Sequence, residues 1–160
     1  MDTALTVAGA VACLALSGLG SAIGTGLAAA GAVGAWKKCY AQNRPAPFVL
    51  LTYVGAPITQ TLYGMILMFV MIAIKKLEDG SVLPMVTEGG GIGMLILGIF
   101  AGLGIGMSAI FQGRAGGCAA DAQGETNQGF TNNLAALGIV ETTAIFVMVF
   151  TLIAVISLKP

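Results

Sequence analysis

The sequence contains no histidine, and charged residues make up only 9% of its 160 positions. The seven basic residues balance the seven acidic ones and form no basic patch of the kind that nucleic acid binding requires. The three cysteines, Cys13, Cys39 and Cys118, lack metal-binding spacing, so without histidine beside them we expect no zinc site. With 57% apolar residues, the composition also excludes an ordinary soluble domain.

Long runs with almost no charge divide the chain into four segments. Residues 3–36, 48–74 and 89–113 carry no charge, and residues 126–158 carry a single one. Each run exceeds the ~18 residues that indicate a membrane-spanning helix. We therefore predict an all-α membrane protein that forms a single membrane domain over residues 1–160. Its four transmembrane helices are expected at about 4–35, 48–74, 89–122 and 128–158.

An internal repeat relates the two halves of the chain. The six residues Ser21-Ala22-Ile23-Gly24-Thr25-Gly26 match Ser108-Ala109-Ile110-Phe111-Gln112-Gly113, and Gln60-Thr61 matches Glu141-Thr142. Each unit holds two predicted spans, so we interpret the chain as two tandem helical hairpins, over residues 1–79 and 80–160, related by an axis along the membrane normal. Only the second hairpin has a carboxylate, and Gln60 takes the matching place in the first.

The odd and even spans differ in side-chain size. The first and third spans carry rows of small residues at every fourth position, Gly20, Gly24, Ala28 and Ala32 in one and Gly98, Gly102 and Gly106 in the other. Such rows let membrane helices approach closely, whereas the second and fourth spans are rich in Leu, Met, Phe, Ile and Val. Two slim and two bulky helices predict a wedge-shaped subunit, and wedges assemble into rings.

Glu141 is the single ionisable residue between Glu125 and Lys159. A helix over residues 126–158 would be about 50 Å long and would hold Glu141 near the middle of the bilayer. A bare carboxylate there is costly, so it is either protonated or paired with a cation. Such residues typically bind or carry an ion, although a hydrogen-bonding contact between helices is an alternative role.

Polar residues in the other spans favour an ion site around Glu141. Gln112 lies in the third span, and Thr59, Gln60 and Tyr63 lie on neighbouring turns of the second. Pro57 removes one helical N–H and frees a carbonyl just before this group, and Thr142 is expected to add a hydroxyl hydrogen bond. Amide, hydroxyl and backbone oxygens around one carboxylate are ligands that suit a hard cation.

Three short motifs carry a resemblance to a known family. They are Pro57-Ile58-Thr59-Gln60-Thr61-Leu62-Tyr63-Gly64 in the second span, Gln112-Gly113 in the third and Val140-Glu141-Thr142 in the fourth. With these motifs the whole chain resembles the 16-kDa proteolipid of rotary V/A-type ATPases, which is the c or K subunit of the membrane ring. It is most similar to the bacterial sodium-transporting branch.

The resemblance implies a Na⁺ site and a role for each residue in it. The carboxylate of Glu141, the side-chain oxygens of Gln112 and Gln60, the Thr59 hydroxyl and the backbone carbonyl of Ala56 would bind the ion. Relatives carry a bulkier residue where this chain has Ala56, a difference that should not affect a backbone ligand. Tyr63 would donate a hydrogen bond to the carboxylate and hold the site closed.

The resemblance also implies a machine and its partners. The protein would form a homo-oligomeric ring that turns in membrane lipid against a stator subunit with an essential Arg, and its rotation would be coupled to ATP hydrolysis or synthesis. The loop from Lys37 to Pro45 would contact the central stalk on the cytoplasmic side. The chain would be a non-catalytic, multi-pass subunit of an ATP-driven ion-translocating complex, in the cell membrane of a prokaryote.

Three other functions remain open from the sequence. The same ring could carry H⁺ instead of Na⁺. A small four-helix proton-coupled antiporter also uses one membrane-embedded glutamate, and a purely structural membrane scaffold would not need the carboxylate for transport.

Overall fold

The computed structural model describes residues 1–73, 86 and 88–159, and these residues form four long helices and no strand. They are α1 (Asp2–Ala41), α2 (Phe48–Ile72), α3 (Gly91–Thr126) and α4 (Phe130–Ser157). By length and composition, each is sufficient to cross a membrane. The structure therefore confirms the all-α fold with four spanning helices.

The first predicted helix ends before the first charged residues after Asp2, whereas the observed helix continues past them. α1 continues through Lys37 and Lys38 to Ala41, beyond the expected end at 35. Its 40 residues span about 60 Å, roughly twice the hydrocarbon thickness, so a lysine near its end can lie in water. α3 passes Arg114 and Asp121, as its expected range of 89–122 does, and ends at Thr126. The expected end of the second helix at 74 and the boundary between hairpins at 79/80 lie outside the described residues.

α1 and α3 are in backbone contact along most of their length. A Cβ atom at Gly98 would overlap the Gly9 carbonyl, and one at Gly113 would overlap the Gly24 carbonyl. The same holds for Gly20 against Gly106. These contacts require glycine, because any side chain would force the two helices apart. The small-residue rows in the sequence therefore form the seam between the two slim helices.

The bulky helices pack around this seam. α2 contacts α1, α3 and α4, whereas α4 contacts α3 and α2. α4 is the least buried of the four helices, and its buried residues form a narrow stripe: Leu137, Ala144, Thr151 and Val155. Large apolar side chains such as Phe69, Phe146 and Phe150 stay exposed on α2 and α4, as expected for surfaces that face lipid or another subunit.

Polar contacts join the two hairpins at both ends of the helices. At one end, Lys38 forms ion pairs with Asp121 and Glu125 at 2.9 and 2.8 Å. At the other end, the Asp2 carboxylate accepts hydrogen bonds from the backbone N–H groups of Gly91 at 3.1 Å and Gly89 at 3.3 Å. Asp2 therefore caps the N-terminus of α3.

Candidate ion-binding site

Glu141 lies halfway along α4 and receives hydrogen bonds from two other helices. The Tyr63 hydroxyl of α2 donates to Oε1 at 2.6 Å, and the Gln112 amide of α3 donates to Oε2 at 3.3 Å. The residue is only partly buried within one subunit. Both of its oxygens therefore have neutral donors, and no basic side chain is among its hydrogen-bond partners in the described part of the chain.

The two glutamines continue the cluster into the interior. Gln60 and Gln112 are fully buried, and Gln60 Nε2 donates to Gln112 Oε1 at 2.8 Å. Gln112 Nε2 also donates to the Leu137 carbonyl of α4 at 3.1 Å. Gln112 is thus held by α2 on one side and by α4 on the other. Buried amides of this kind need such partners, because an unpaired polar group is costly in an apolar interior.

A break in α2 supplies the last oxygens of the cluster. The helix is interrupted by one 3₁₀ turn at Ala56–Ile58, where Pro57 lacks the N–H that an α-helix would use. The Ala56 carbonyl accepts the Thr59 hydroxyl at 3.0 Å, and the same hydroxyl reaches Gln60 Oε1 at 3.2 Å. Pro57 itself packs against Gly24 of α1. The structure therefore brings Ala56, Thr59 and Gln60 to one place.

Thr142 is the one expected supporting residue that the structure does not bring into the cluster. Its side chain is exposed, and its hydroxyl donates to the Ile139 carbonyl of its own helix at 2.6 Å. The reason is geometric, since consecutive residues of an α-helix point about 100° apart. With Glu141 directed at α2 and α3, its neighbour faces away from them.

Sequence reasoning missed Ser108 as part of the site. Its hydroxyl donates to the Val140 carbonyl of α4 at 3.0 Å, directly beside Glu141. Ser108 is one turn before Gln112 on the same face of α3. Its place in the internal repeat was visible, but a small hydroxyl residue in a membrane helix more often indicates close packing, so the sequence alone did not point to this contact.

The cluster offers oxygens that suit a hard cation. Its candidate ligands are one carboxylate, two amide oxygens, one hydroxyl and one backbone carbonyl, from Glu141, Gln112, Gln60, Thr59 and Ala56. Among the residues that the structure describes, no group of three or more His, Cys, Asp or Glu side chains occurs. Oxygens of these kinds suit a hard cation better than a transition metal.

The side-chain amides of Gln112 and Gln60 would have to turn over before the Gln112 oxygen could face a cation at Glu141. Gln112 presents its Nε2 to Glu141, and its Oε1 accepts from Gln60. Turning both amides by about half a rotation exchanges oxygen and nitrogen with little change in shape. Gln112 Oε1 would then face Glu141, and Gln60 Oε1 would accept from Gln112. After this change the Thr59 hydroxyl could accept from Gln60. Gln112 Oε1 would face two acceptors, the Leu137 carbonyl and the Glu141 carboxylate, so this direction requires a cation or a proton at Glu141.

Comparison with known proteins adds a family to this geometry. Residues 89–154, less than half of the chain, match the family of the C subunit of ATP synthase. The match includes Gln112 and Glu141 and leaves out Thr59, Gln60 and Tyr63 of the first hairpin. No curated protein matches the chain. The chain is an integral, multi-pass membrane protein, and its second half is similar to this family of non-catalytic proteolipids, which form homo-oligomeric, ion-carrying rings in ATP synthases and ATPases.

Proposed function

We propose that this chain is the ion-carrying subunit of the rotor ring of a rotary V/A-type ATPase, and that the ion is Na⁺. The observation that carries the proposal is the continuous set of hydrogen bonds from Thr59 through Gln60 and Gln112 to Glu141. It links polar side chains of three helices into one chain that ends at a membrane-embedded carboxylate, and every member of this chain carries an oxygen that can bind a cation. A site for a bare proton needs far fewer oxygens than this.

Each site residue has a distinct task in the proposed mechanism. Glu141 supplies the negative charge, and the oxygens of Gln112, Gln60, Thr59 and Ala56 replace the hydration shell of the ion. Pro57 lacks an N–H, so it breaks the α-helical hydrogen bonding of α2 beside the Ala56 carbonyl, which accepts from the backbone N–H and the hydroxyl of Thr59. Tyr63 donates to Glu141 at 2.6 Å and holds the carboxylate toward the cluster.

Rotation follows from the charge of the site. With Na⁺ bound, the ion and the carboxylate form a neutral pair, which passes through lipid far more easily than a bare carboxylate does. An essential Arg on a stator subunit would compete for Glu141 and release the ion between two half-channels. Because Gln60 replaces the second carboxylate, one ion is carried for every four helices, which favours pumping against a steep gradient driven by ATP.

The exposed loop between α1 and α2 is the proposed contact for the central stalk. Arg44 fastens this loop to the end of α3 through the Gly124 carbonyl, which it reaches at 3.3 Å. The Lys38 ion pairs, close to the end of α1 where the loop begins, add a second connection to α3. A loop held in this way can transmit torque to all four helices. We place the ring in the cell membrane of a prokaryote, as the resemblance to the sodium-transporting branch implies.

Carbodiimide labelling of the assembled ring tests the choice of ion. The reagent modifies a protonated carboxyl group, so bound Na⁺ is expected to protect Glu141 at neutral pH and millimolar concentration. Glu141→Gln should take up no label, and Gln112→Leu should lose most of the protection. Gln123→Leu is the matched control, because Gln123 is also a buried glutamine of α3 but bonds to Tyr53 instead. Labelling that ignores Na⁺ and falls with rising pH would instead identify a H⁺-carrying ring.

A further inference from the structure

We infer that Ser108 is a positioning residue that sets the rotation of α4 about its own axis, so that Glu141 faces Gln112 and Tyr63. This inference rests on the proposed function in so far as Glu141 is the ion-carrying group. It assigns to Ser108 a role in placing α4 that is separate from binding the ion. The Ser108 hydroxyl touches the backbone of α4 and not the carboxylate.

Two hydrogen bonds join α3 to the backbone of α4 close to Glu141, one helical turn apart. Ser108 donates to the Val140 carbonyl at 3.0 Å, and Gln112, one turn later, donates to the Leu137 carbonyl at 3.1 Å. The donors advance along α3 while the acceptors move back along α4, as antiparallel helices require. Glu141 is the next residue after Val140 and therefore lies beside both fastening points.

α4 needs such fastening because its packing restrains rotation weakly. Of the α4 residues near the site, only Leu137 and Ala144 are buried, and they lie seven positions apart on the same stripe of the helix. Ile139, one residue before Val140, is 73% exposed. A rotation by one residue, about 100°, would take Glu141 out of reach of both its donors. Two hydrogen bonds from a neighbouring helix prevent that rotation where a narrow apolar stripe does not.

Ser17 shows that a serine hydroxyl in these helices can donate its hydrogen bond within its own helix. It donates to the Cys13 carbonyl of its own helix at 2.8 Å. Ser108 instead reaches a second helix, although the Val140 carbonyl already has a helical partner four residues on. Since Val140 keeps that partner when the hydroxyl is removed, Ser108→Ala should leave no unpaired carbonyl and should assemble.

The internal repeat provides a matched control. Ser21 of α1 corresponds to Ser108, is 4% exposed, and has no hydrogen-bond partner for its hydroxyl in the described part of the chain. Both serines are therefore buried, and both belong to glycine-rich helices of the seam. They differ in that only the Ser108 hydroxyl bonds to another helix, so Ser21→Ala removes the same atom without the interhelical bond.

The test uses carbodiimide labelling of Glu141 in the intact ring, first without Na⁺. We expect Ser108→Ala to label several-fold faster than the wild type, because the carboxylate leaves its donors more often. Ser21→Ala and Ser108→Thr, which keeps the hydroxyl, should label at the wild-type rate. Equal rates for Ser108→Ala and wild type, or an equal acceleration in Ser21→Ala, would overturn the assignment. Ser108→Cys, a near-isosteric weak donor, should give an intermediate rate and keeps the test valid if the alanine variant fails to assemble.

The second arm adds Na⁺ and separates this inference from the proposed function. The Na⁺ concentration for half-protection should rise roughly three- to tenfold in Ser108→Ala, as expected for one lost hydrogen bond, and should not change in Ser21→Ala. If no concentration of Na⁺ protects Glu141 from labelling in the wild type, the sodium proposal fails. The positioning role is then still decided by the labelling rates without Na⁺.

Discussion

At the scale of single residues, Glu141 is stabilised by neutral donors from two other helices. Tyr63 and Gln112 approach it from α2 and α3, and Gln60 supports Gln112 from the interior. Among the described residues, this arrangement places no basic side chain against the carboxylate. A lysine or arginine partner would compete with a transported cation, so the neutral partners fit the proposed role of Glu141.

Replacement of Tyr63 tests how the carboxylate is held. Tyr63→Phe removes one donor at 2.6 Å and leaves the aromatic ring in place. Because one hydrogen bond contributes about 0.5–1.5 kcal/mol, we expect the Na⁺ concentration for half-protection from carbodiimide to rise roughly two- to twelvefold. Tyr40→Phe serves as the control, since Tyr40 is 66% exposed near the end of α1. An unchanged half-protection concentration in Tyr63→Phe would contradict the role given to this hydroxyl.

A second prediction at this scale concerns the cap on α3. Asp2→Ala removes the acceptor for the Gly89 and Gly91 N–H groups. The free energy of unfolding in detergent should fall by about 0.5–2 kcal/mol, the usual cost of losing a cap. Asp2→Asn keeps an acceptor oxygen and should recover most of this loss. If the two variants unfold alike, the carboxylate does not act as a cap.

At the scale of helices, the seam between α1 and α3 holds the four helices together. Its glycines allow backbone contact between the two slim helices, which then act as one support for α2 and α4. The 3₁₀ turn of α2 lies against this seam, because Pro57 packs on Gly24. The position of the ion ligands on α2 therefore depends on a glycine of α1 that is itself no ligand.

Two glycines of α1, two residues apart, test the seam directly. A Cβ at Gly24 would overlap the Ala109 carbonyl of α3 and would lie 3.0 Å from Pro57, whereas a Cβ at Gly26 meets nothing within 4 Å. Gly24→Ala should lower the free energy of unfolding of the detergent-solubilised protein by about 1–3 kcal/mol. Gly26→Ala should leave it unchanged or raise it by up to ~1 kcal/mol, because alanine favours the helix. Similar effects at both positions would show that the close approach does not support stability.

At the scale of the whole molecule, polar contacts at both ends make the two hairpins one body. Asp2 of α1 caps α3, and Lys159 after α4 donates to the Ala73 carbonyl after α2 at 2.9 Å. Lys38 joins the other ends of α1 and α3. Each exposed ion pair contributes little by itself. Together with the seam, these contacts suit the proposed rotation, in which the two hairpins must not separate.

A mixed assembly tests whether the sites work in sequence on one ring. In the proposed mechanism, every site of a ring that contains both wild-type and Glu141→Gln subunits must pass the stator before a turn is complete. ATP-driven Na⁺ transport should therefore fall much more steeply than the fraction of wild-type subunits. A four-helix antiporter with independent sites would lose activity in proportion to that fraction, and a structural scaffold would lose none.

The sequence by itself determined the class of protein and the four spans, and it singled out Glu141 as the one charge of the fourth span. These features follow from the free energy of moving side chains from water into a membrane, which depends on residue type and on the length of the run. The end of α1 was underestimated for the same reason, because hydropathy reports which residues tolerate lipid and not where a helix stops.

Only the tertiary structure decided which polar residues meet. It placed Gln60, Gln112, Tyr63 and Glu141 in contact and directed Thr142 away from them. It also gave Ser108 a partner on α4 and left Ser21 without one among the described residues, although the two occupy matching places in the repeat. Such contacts depend on how each helix is rotated against its neighbours. That rotation is set by the packing of the whole bundle, which no single stretch of sequence contains.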